Sequence, residues 1–123
     1  MAIIGTHTLL YTSDPEGLRA IFRDVFGFTH VNAGDGWLIF ALPPAELGIH
    51  PADPTAEPGV GHQLTFMCDN IETTMRELRA KGIEFKRAPK DEGWGITAMM
   101  SLPGDVELML YEPRHPVAIG NQP

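Results

Sequence analysis

Cysteine is nearly absent from this chain: Cys68 stands alone in 123 residues. No internal disulfide can form, which excludes a disulfide-stapled secreted scaffold and favours a reducing, cytoplasmic setting. Basic residues are scarce too. Nine Lys and Arg face sixteen Asp and Glu, a formal net charge of −7. A nucleic-acid binder needs a basic face to displace phosphate counterions, so that class is excluded, and an anionic membrane surface is disfavoured. No apolar run approaches the ~20 residues of a membrane span. The opening MAIIGTH has no basic stretch leading into a long apolar one, so no signal peptide is expected. Low-complexity segments, a phosphate-binding glycine loop and a serine-based triad are all missing.

What is present is repetition. Residues 7–14 read HTLLYTSD and residues 62–69 read HQLTFMCD. Each opens on His, alternates apolar and polar positions, and closes on Asp. The interval from Asp14 to Gly27 equals that from Asp69 to Gly82. Each Asp is suited to cap a helix. Pro15 fits a first helical position, and Glu72 completes a box-like cap with Asp69. Leu18, Ile21, Phe22, Val25 and Phe26 form an apolar helical stripe; Ile71, Met75 and Leu78 form a thinner one. Gly27 and Gly82 stand where a left-handed helix end is wanted.

Strands follow each glycine. FTHVNA, GWLIFALP and AELGIHP belong to the first half; IEFKRAP, GWGITAMMSLP and VELMLYEP to the second. Each half therefore reads strand, helix, strand, strand, strand. The expected class is α+β, with two tandem βαβββ modules whose sheets curl around a shared cavity. A single module leaves one sheet face bare, and two can pair those faces. The first module spans 1–51, a Pro- and Gly-rich linker 52–61, the second module 62–115 and a tail 116–123.

On a strand, alternate side chains share a face. His7 is thus grouped with Leu9 and Tyr11, His62 with Leu64 and Phe66, Glu46 with Gly48 and His50, and Glu107 with Met109 and Tyr111. If the sheets curl, His7, His62, Glu46 and Glu107 converge as nitrogen and oxygen donors suited to a divalent ion. The plainer alternative is a set of exposed histidines and solvent-facing glutamates. Trp37 and Trp94 follow glycine at equivalent places, to stack on an aromatic ligand or simply to pack. Tyr11 and Tyr111 line the expected cavity, with Phe66 and Met109 as further lining. Cys68 reads as a small apolar residue. Arg114 and His115 suit either an acidic ligand or a plain surface tail.

The stretches THTLLYTSDPEGLRAIFRDVFGF, HQLTFMCDNIETTMRELRAKGIEF and LPGDVELMLYEPRHP together resemble the vicinal oxygen chelate superfamily, also called the glyoxalase/bleomycin resistance/dioxygenase family. The segment GWLIFALPPAELGIHP is similar to a bacterial subgroup labelled extradiol dioxygenase. The resemblance implies a divalent ion (Fe, Mn, Ni, Co or Zn) held by His7, Glu46, His62 and Glu107, with Glu107 also the catalytic residue. It implies a metal-dependent glyoxalase- or dioxygenase-like enzyme, a lyase or isomerase or an extradiol dioxygenase, acting on a small molecule with vicinal oxygens. Its alternative is a metal-free protein that binds an antibiotic or aromatic compound. It also implies a homodimer. One departure stands out: Gly104 precedes Glu107 by one residue fewer than the family ending has. Counting back from Tyr111-Glu112-Pro113 puts Met109 in the ligand position instead.

Overall fold

The computed structural model describes residues 7–49 and 63–119. His62, His50 and the expected linker lie outside them. Helix α1 (Pro15–Ala20) starts as the sequence asks, with Pro15 in its first turn and Asp14 Oδ1 accepting from the Gly17 N–H at 3.0 Å. It continues as a π-helical turn over Ile21–Val25, closed by Phe26 N–H to Ile21 O at 3.1 Å. Helix α2 (Ile71–Ala80) begins one residue later than expected. Asn70, not Asp69, is its cap: Asn70 Oδ1 accepts from the Thr73 N–H at 2.9 Å. The Asp69–Glu72 box is not formed, because the cap has moved one residue along. Glu112 Oε1, from a strand later in the chain, accepts from the Ile71 N–H at 3.0 Å and so satisfies another free donor of the first turn. Gly27 (φ 69°) and Gly82 (φ 92°) take the left-handed conformation that follows a helix.

The strands are β1 (His30–Asn32), β2 (Leu38–Phe40), β3 (Thr65–Met67), β4 (Glu84–Phe85), β5 (Lys90–Asp91), β6 (Gly95–Leu102) and β7 (Val106–Pro113). The chain is therefore mixed α+β. Strands β3, β7, β6 and β4 lie side by side in that order, β3 parallel to β7 and the other pairs antiparallel; β5 also pairs with β6. The second half thus carries its helix and its four expected strands, plus β5 in the loop after β4.

The first half departs from expectation. It holds α1 and the β1–β2 hairpin, but residues 7–12 and 45–49 form no strand. A strand exists only where a neighbour completes its ladder, and neither segment pairs with one among the described residues. Residues 12–14 dock instead on the β6–β7 turn, where Thr12 Oγ1 donates to Pro103 O at 2.9 Å. Gly104 (φ 76°) makes room for that contact, since a β-carbon there would lie 2.7 Å from Asp14 N.

The core lies between α1, α2 and one face of β6–β7. Leu18, Phe22, Met75, Met100, Leu108 and Leu110 are buried in it. Phe22 meets Phe26, Phe28, Phe40 and Phe66 at ring separations of 5.1, 5.9, 5.6 and 5.9 Å. Such contacts add about 0.5–1.5 kcal/mol each beyond the area they bury. Phe66 stands opposite Leu110, so its side chain belongs to this core face. It does not line the other face, as its assignment to a pocket required.

Candidate functional site

The face of β3–β7–β6 turned away from the helices follows from the register. Glu107, Met109 and Tyr111 alternate with the buried Leu108 and Leu110. Directly across stand Ser101, Met99 and Thr97 on β6, and Thr65 and Met67 on β3. The half-buried Met67, Met99 and Met109 form a soft, polarisable floor. Lys86, just beyond β4, donates its backbone N–H to Met99 O and pairs its ammonium with Glu107 at one end of this floor.

Tyr111 sits at the other end. It is only 8% exposed. The Trp94 ring meets it edge-on at 5.4 Å, and its hydroxyl lies 3.1 Å from His115 Nε2. Burial pushes the phenol's pKa up, and the negative charge of Glu46 adds to that shift. Glu46 Oε2 in turn accepts from the Ala118 N–H at 2.7 Å. One carboxylate of the first half is thereby tied to the segment that follows β7. Trp94 O accepts from the Arg114 N–H at 2.8 Å and the His115 N–H at 3.2 Å, and Arg114 Nη1 pairs with Asp91 Oδ2 at 2.9 Å. These bonds hold the segment after β7 against the β5–β6 loop.

The backbone around Tyr111 is shaped for it. At Gly95 a β-carbon would lie 2.9 Å from Glu112 O and 3.0 Å from Tyr111 Cδ2. Across from Tyr111, the fully buried Thr97 accepts from Arg87 Nη2 at its hydroxyl, 2.9 Å, and from Nη1 at its carbonyl, 3.0 Å. The buried hydroxyl is thus satisfied and the edge of the floor is pinned.

Of the residues expected at the site, Tyr111 and Trp94 come together, Met109 and Glu107 share the Tyr111 face, and Glu46 is held by the Ala118 N–H. Tyr11 is 85% exposed. Trp37 stands apart at the β1–β2 turn, with the Arg19 guanidinium 4.7 Å above its ring. His7 lies on an exposed segment and His62 outside the described residues. Two shallow depressions, of about 380 and 330 Å³, lie along α2 and beside α1, away from this face.

The expected ion can be tested against its donors. Among the described residues no three His, Cys, Asp or Glu side chains converge. Glu107 is engaged by Lys86, and Glu46 by the Ala118 N–H. The described donors do not fit a divalent ion in this arrangement. Cys68 is equally unsuited to act as a nucleophile: its Sγ lies 3.6 Å from Tyr111 O, and burial raises its pKa.

Lys86 and Arg87 are the residues that sequence reasoning leaves unassigned at this face, and His115, open there between an acidic ligand and a surface tail, is found beside Tyr111. The partnership of His115 with Tyr111, four positions earlier, depends on how the chain turns after β7, which no local pattern encodes. Lys86 had a usable signal. Once β4 is paired with β6, its place opposite Met99 puts it on the Glu107 face.

Comparison with known proteins agrees with the fold. The model of the Glyoxalase/Bleomycin resistance protein/Dioxygenase superfamily matches residues 6–115. A search of curated proteins gave no match. Among solved structures, TnmS3, an antibiotic binding protein from Streptomyces sp. CB03234, is 26% identical with a TM-score of 0.60, covering 91% of this chain and 99% of its own. Lactoylglutathione lyase from Agrobacterium tumefaciens is 17% identical with a TM-score of 0.61, covering 91% and 96%. A glyoxalase/bleomycin resistance protein/dioxygenase from Nocardioides is 20% identical with a TM-score of 0.57, covering 91% and 84%.

Proposed function

Since this chain belongs to the Glyoxalase/Bleomycin resistance protein/Dioxygenase superfamily, we propose that it is a small-molecule binding protein that holds an aromatic compound, such as an antibiotic, without a metal ion. The observation that carries this reading is the meeting of Tyr111 with Trp94 and His115 at the end of a methionine floor. Trp94, 46% exposed, offers an accessible aromatic surface beside it. Thioether and aromatic groups together suit a flat apolar ligand. The likeness to an antibiotic binding protein supports the same class.

The test is titration of chelator-treated protein with a panel of aromatic antibiotics, followed by tryptophan fluorescence and calorimetry. Saturable one-to-one binding, weakened at least about tenfold by Trp94→Ala and unchanged by added divalent ions, is the expected result. Metal-free protein that binds none of the panel, together with a stoichiometric divalent ion lost in His7→Ala and His62→Ala, overturns it. That outcome would favour the second reading, a metal-dependent glyoxalase- or dioxygenase-like enzyme. The duplicated His of HTLLYTSD and HQLTFMCD is the observation behind it.

The partner we propose for the first half is a second copy of this chain. Tyr11, Leu47 and Ile49 are 85%, 86% and 87% exposed, more apolar surface than a lone half-module keeps bare without cost. A homodimer that covers them gives residues 7–12 and 45–49 the neighbours their strand pattern calls for. Light scattering is expected to show a dimer that Leu47→Glu with Ile49→Glu converts to a monomer. A monomeric wild type rules the dimer out. A cytoplasmic location is proposed with it, on the lone unpaired Cys68.

A further inference from the structure

Tyr111 and His115 fix the direction of their own hydrogen bond. His115 Nδ1 lies 2.7 Å from Pro116 O. A carbonyl only accepts, so in the neutral imidazole Nδ1 carries the proton. Nε2 is then left as an acceptor, and the Tyr111 hydroxyl, 3.1 Å away, donates its single proton to it. With that proton committed, the phenol oxygen has only lone pairs to offer anything else. This end of the methionine floor therefore presents an acceptor to a ligand.

We infer that His115 is a specificity-determining residue: by holding the Tyr111 proton it makes the aromatic end of the site select ligands that carry a hydrogen-bond donor, a phenolic hydroxyl or an amine, over analogues methylated at that atom. The inference rests on the binding reading above. A methyl ether brings only lone pairs to a pole that has only lone pairs, so its oxygen is desolvated with no partner. A site built around such a bond rejects the analogue that cannot make it far more strongly than a shape difference would.

The probes are 2-naphthol and 2-methoxynaphthalene, titrated into wild type, His115→Phe and Tyr111→Phe. Wild type is expected to prefer the naphthol by about tenfold or more. His115→Phe keeps a ring beside Tyr111 but frees the phenol proton to donate to an ether oxygen, so the preference should shrink to within about threefold. Tyr111→Phe should weaken the naphthol and spare the ether. Nitrogen-resolved NMR of the His115 ring should show a protonated Nδ1 and a bare Nε2. A proton on Nε2, or a naphthol-to-ether ratio unmoved by His115→Phe, overturns the inference. Equal binding of both probes by wild type overturns it while leaving the binding reading intact; binding of neither overturns both.

Discussion

Glu112 on β7 reaches the first turn of α2, its Oε1 3.0 Å from the Ile71 N–H. On the same strand, the preceding Tyr111 points to the opposite face. One strand therefore closes a helix start with one residue and forms the aromatic end of the candidate site with the next. The period of two along a strand makes this possible, and it couples the position of α2 to that of the site. Removing the carboxylate while keeping the backbone, in Glu112→Ala, is expected to cost about 1 kcal/mol of stability, the scale of a lost helix cap. Urea unfolding monitored by circular dichroism measures it. No change would mean that solvent satisfies the Ile71 N–H equally well.

The cap residue itself separates the sequence reading from the structure. Asn70 Oδ1 bonds the Thr73 N–H, whereas the repeat with Asp14 points to Asp69. Asn70→Ala should destabilise by about 1 kcal/mol and Asp69→Ala by less than about 0.5 kcal/mol. The reverse order, measured by the same unfolding curves, would restore Asp69 as the cap.

Much of the fold is legible in the sequence because its signals are local. Pro15, Gly27 and Gly82 mark helix boundaries by their backbone chemistry alone, and the alternation in VELMLYEP gives β7 its two faces. Pairing is not local, and the misplacements arise there. The patterns of HTLLYTSD and AELGIHP satisfy every strand criterion, yet a strand needs a neighbour, which the pattern does not supply. Parity with His62 puts Phe66 in a pocket. Its face is decided by the parallel register that sets it against Leu110, which the sequence does not state. The aromatic end of the site is half readable: the sequence offers Tyr111, Trp94 and His115 as separate candidates, and only the folded chain joins His115 to Tyr111.

Phe66 now yields a prediction opposite to that of a ligand contact. Its ring meets those of Phe22, Phe26 and Phe28 at 5.9, 5.3 and 5.7 Å. Phe66→Ala opens this packing and should cost about 3 kcal/mol or more, seen as a lowered melting temperature. Phe66→Leu, which keeps most of the volume, should retain ligand binding. A stable Phe66→Ala protein that has lost only binding would return the residue to the pocket.

Lys86 and Glu107 form an ion pair whose side chains are each about half exposed. Screening by solvent limits such a pair to about 0–1 kcal/mol, so Lys86→Ala should barely move the unfolding midpoint. If the pair occupies a carboxylate that otherwise ligates an ion, the same variant will gain divalent-ion affinity, read by calorimetry with Zn or Mn. Unaltered metal binding in Lys86→Ala would separate Glu107 from any metal role in this arrangement.

Gly95 tests whether the Tyr111 ring is held by backbone shape. A methyl there would meet the Glu112 carbonyl at 2.9 Å, a backbone atom paired across β6 and β7 that has little freedom to withdraw. Gly95→Ala should therefore destabilise by about 1–3 kcal/mol and shift the Tyr111 ring signals in NMR. A variant as stable as wild type would show that the β6 edge relaxes freely.

Tyr111 links the site to alkaline stability. Its folded pKa is raised, by burial first and then by the Glu46 charge. The folded state therefore holds this proton more tightly than the unfolded chain, whose tyrosines ionise near pH 10. The stabilisation is fully present below that pH and is lost as the pH rises through the folded value. Absorbance at the tyrosinate band should show a component that titrates above the ordinary range and is missing in Tyr111→Phe. Glu46→Gln removes the smaller of the two causes, so it should lower that component only part of the way; a complete return would make the Glu46 charge, not burial, the dominant cause. Stability measured against pH should fall more steeply above pH 10 in wild type than in Tyr111→Phe, since only the wild type has this phenol to ionise. Parallel curves would place the phenol in solvent.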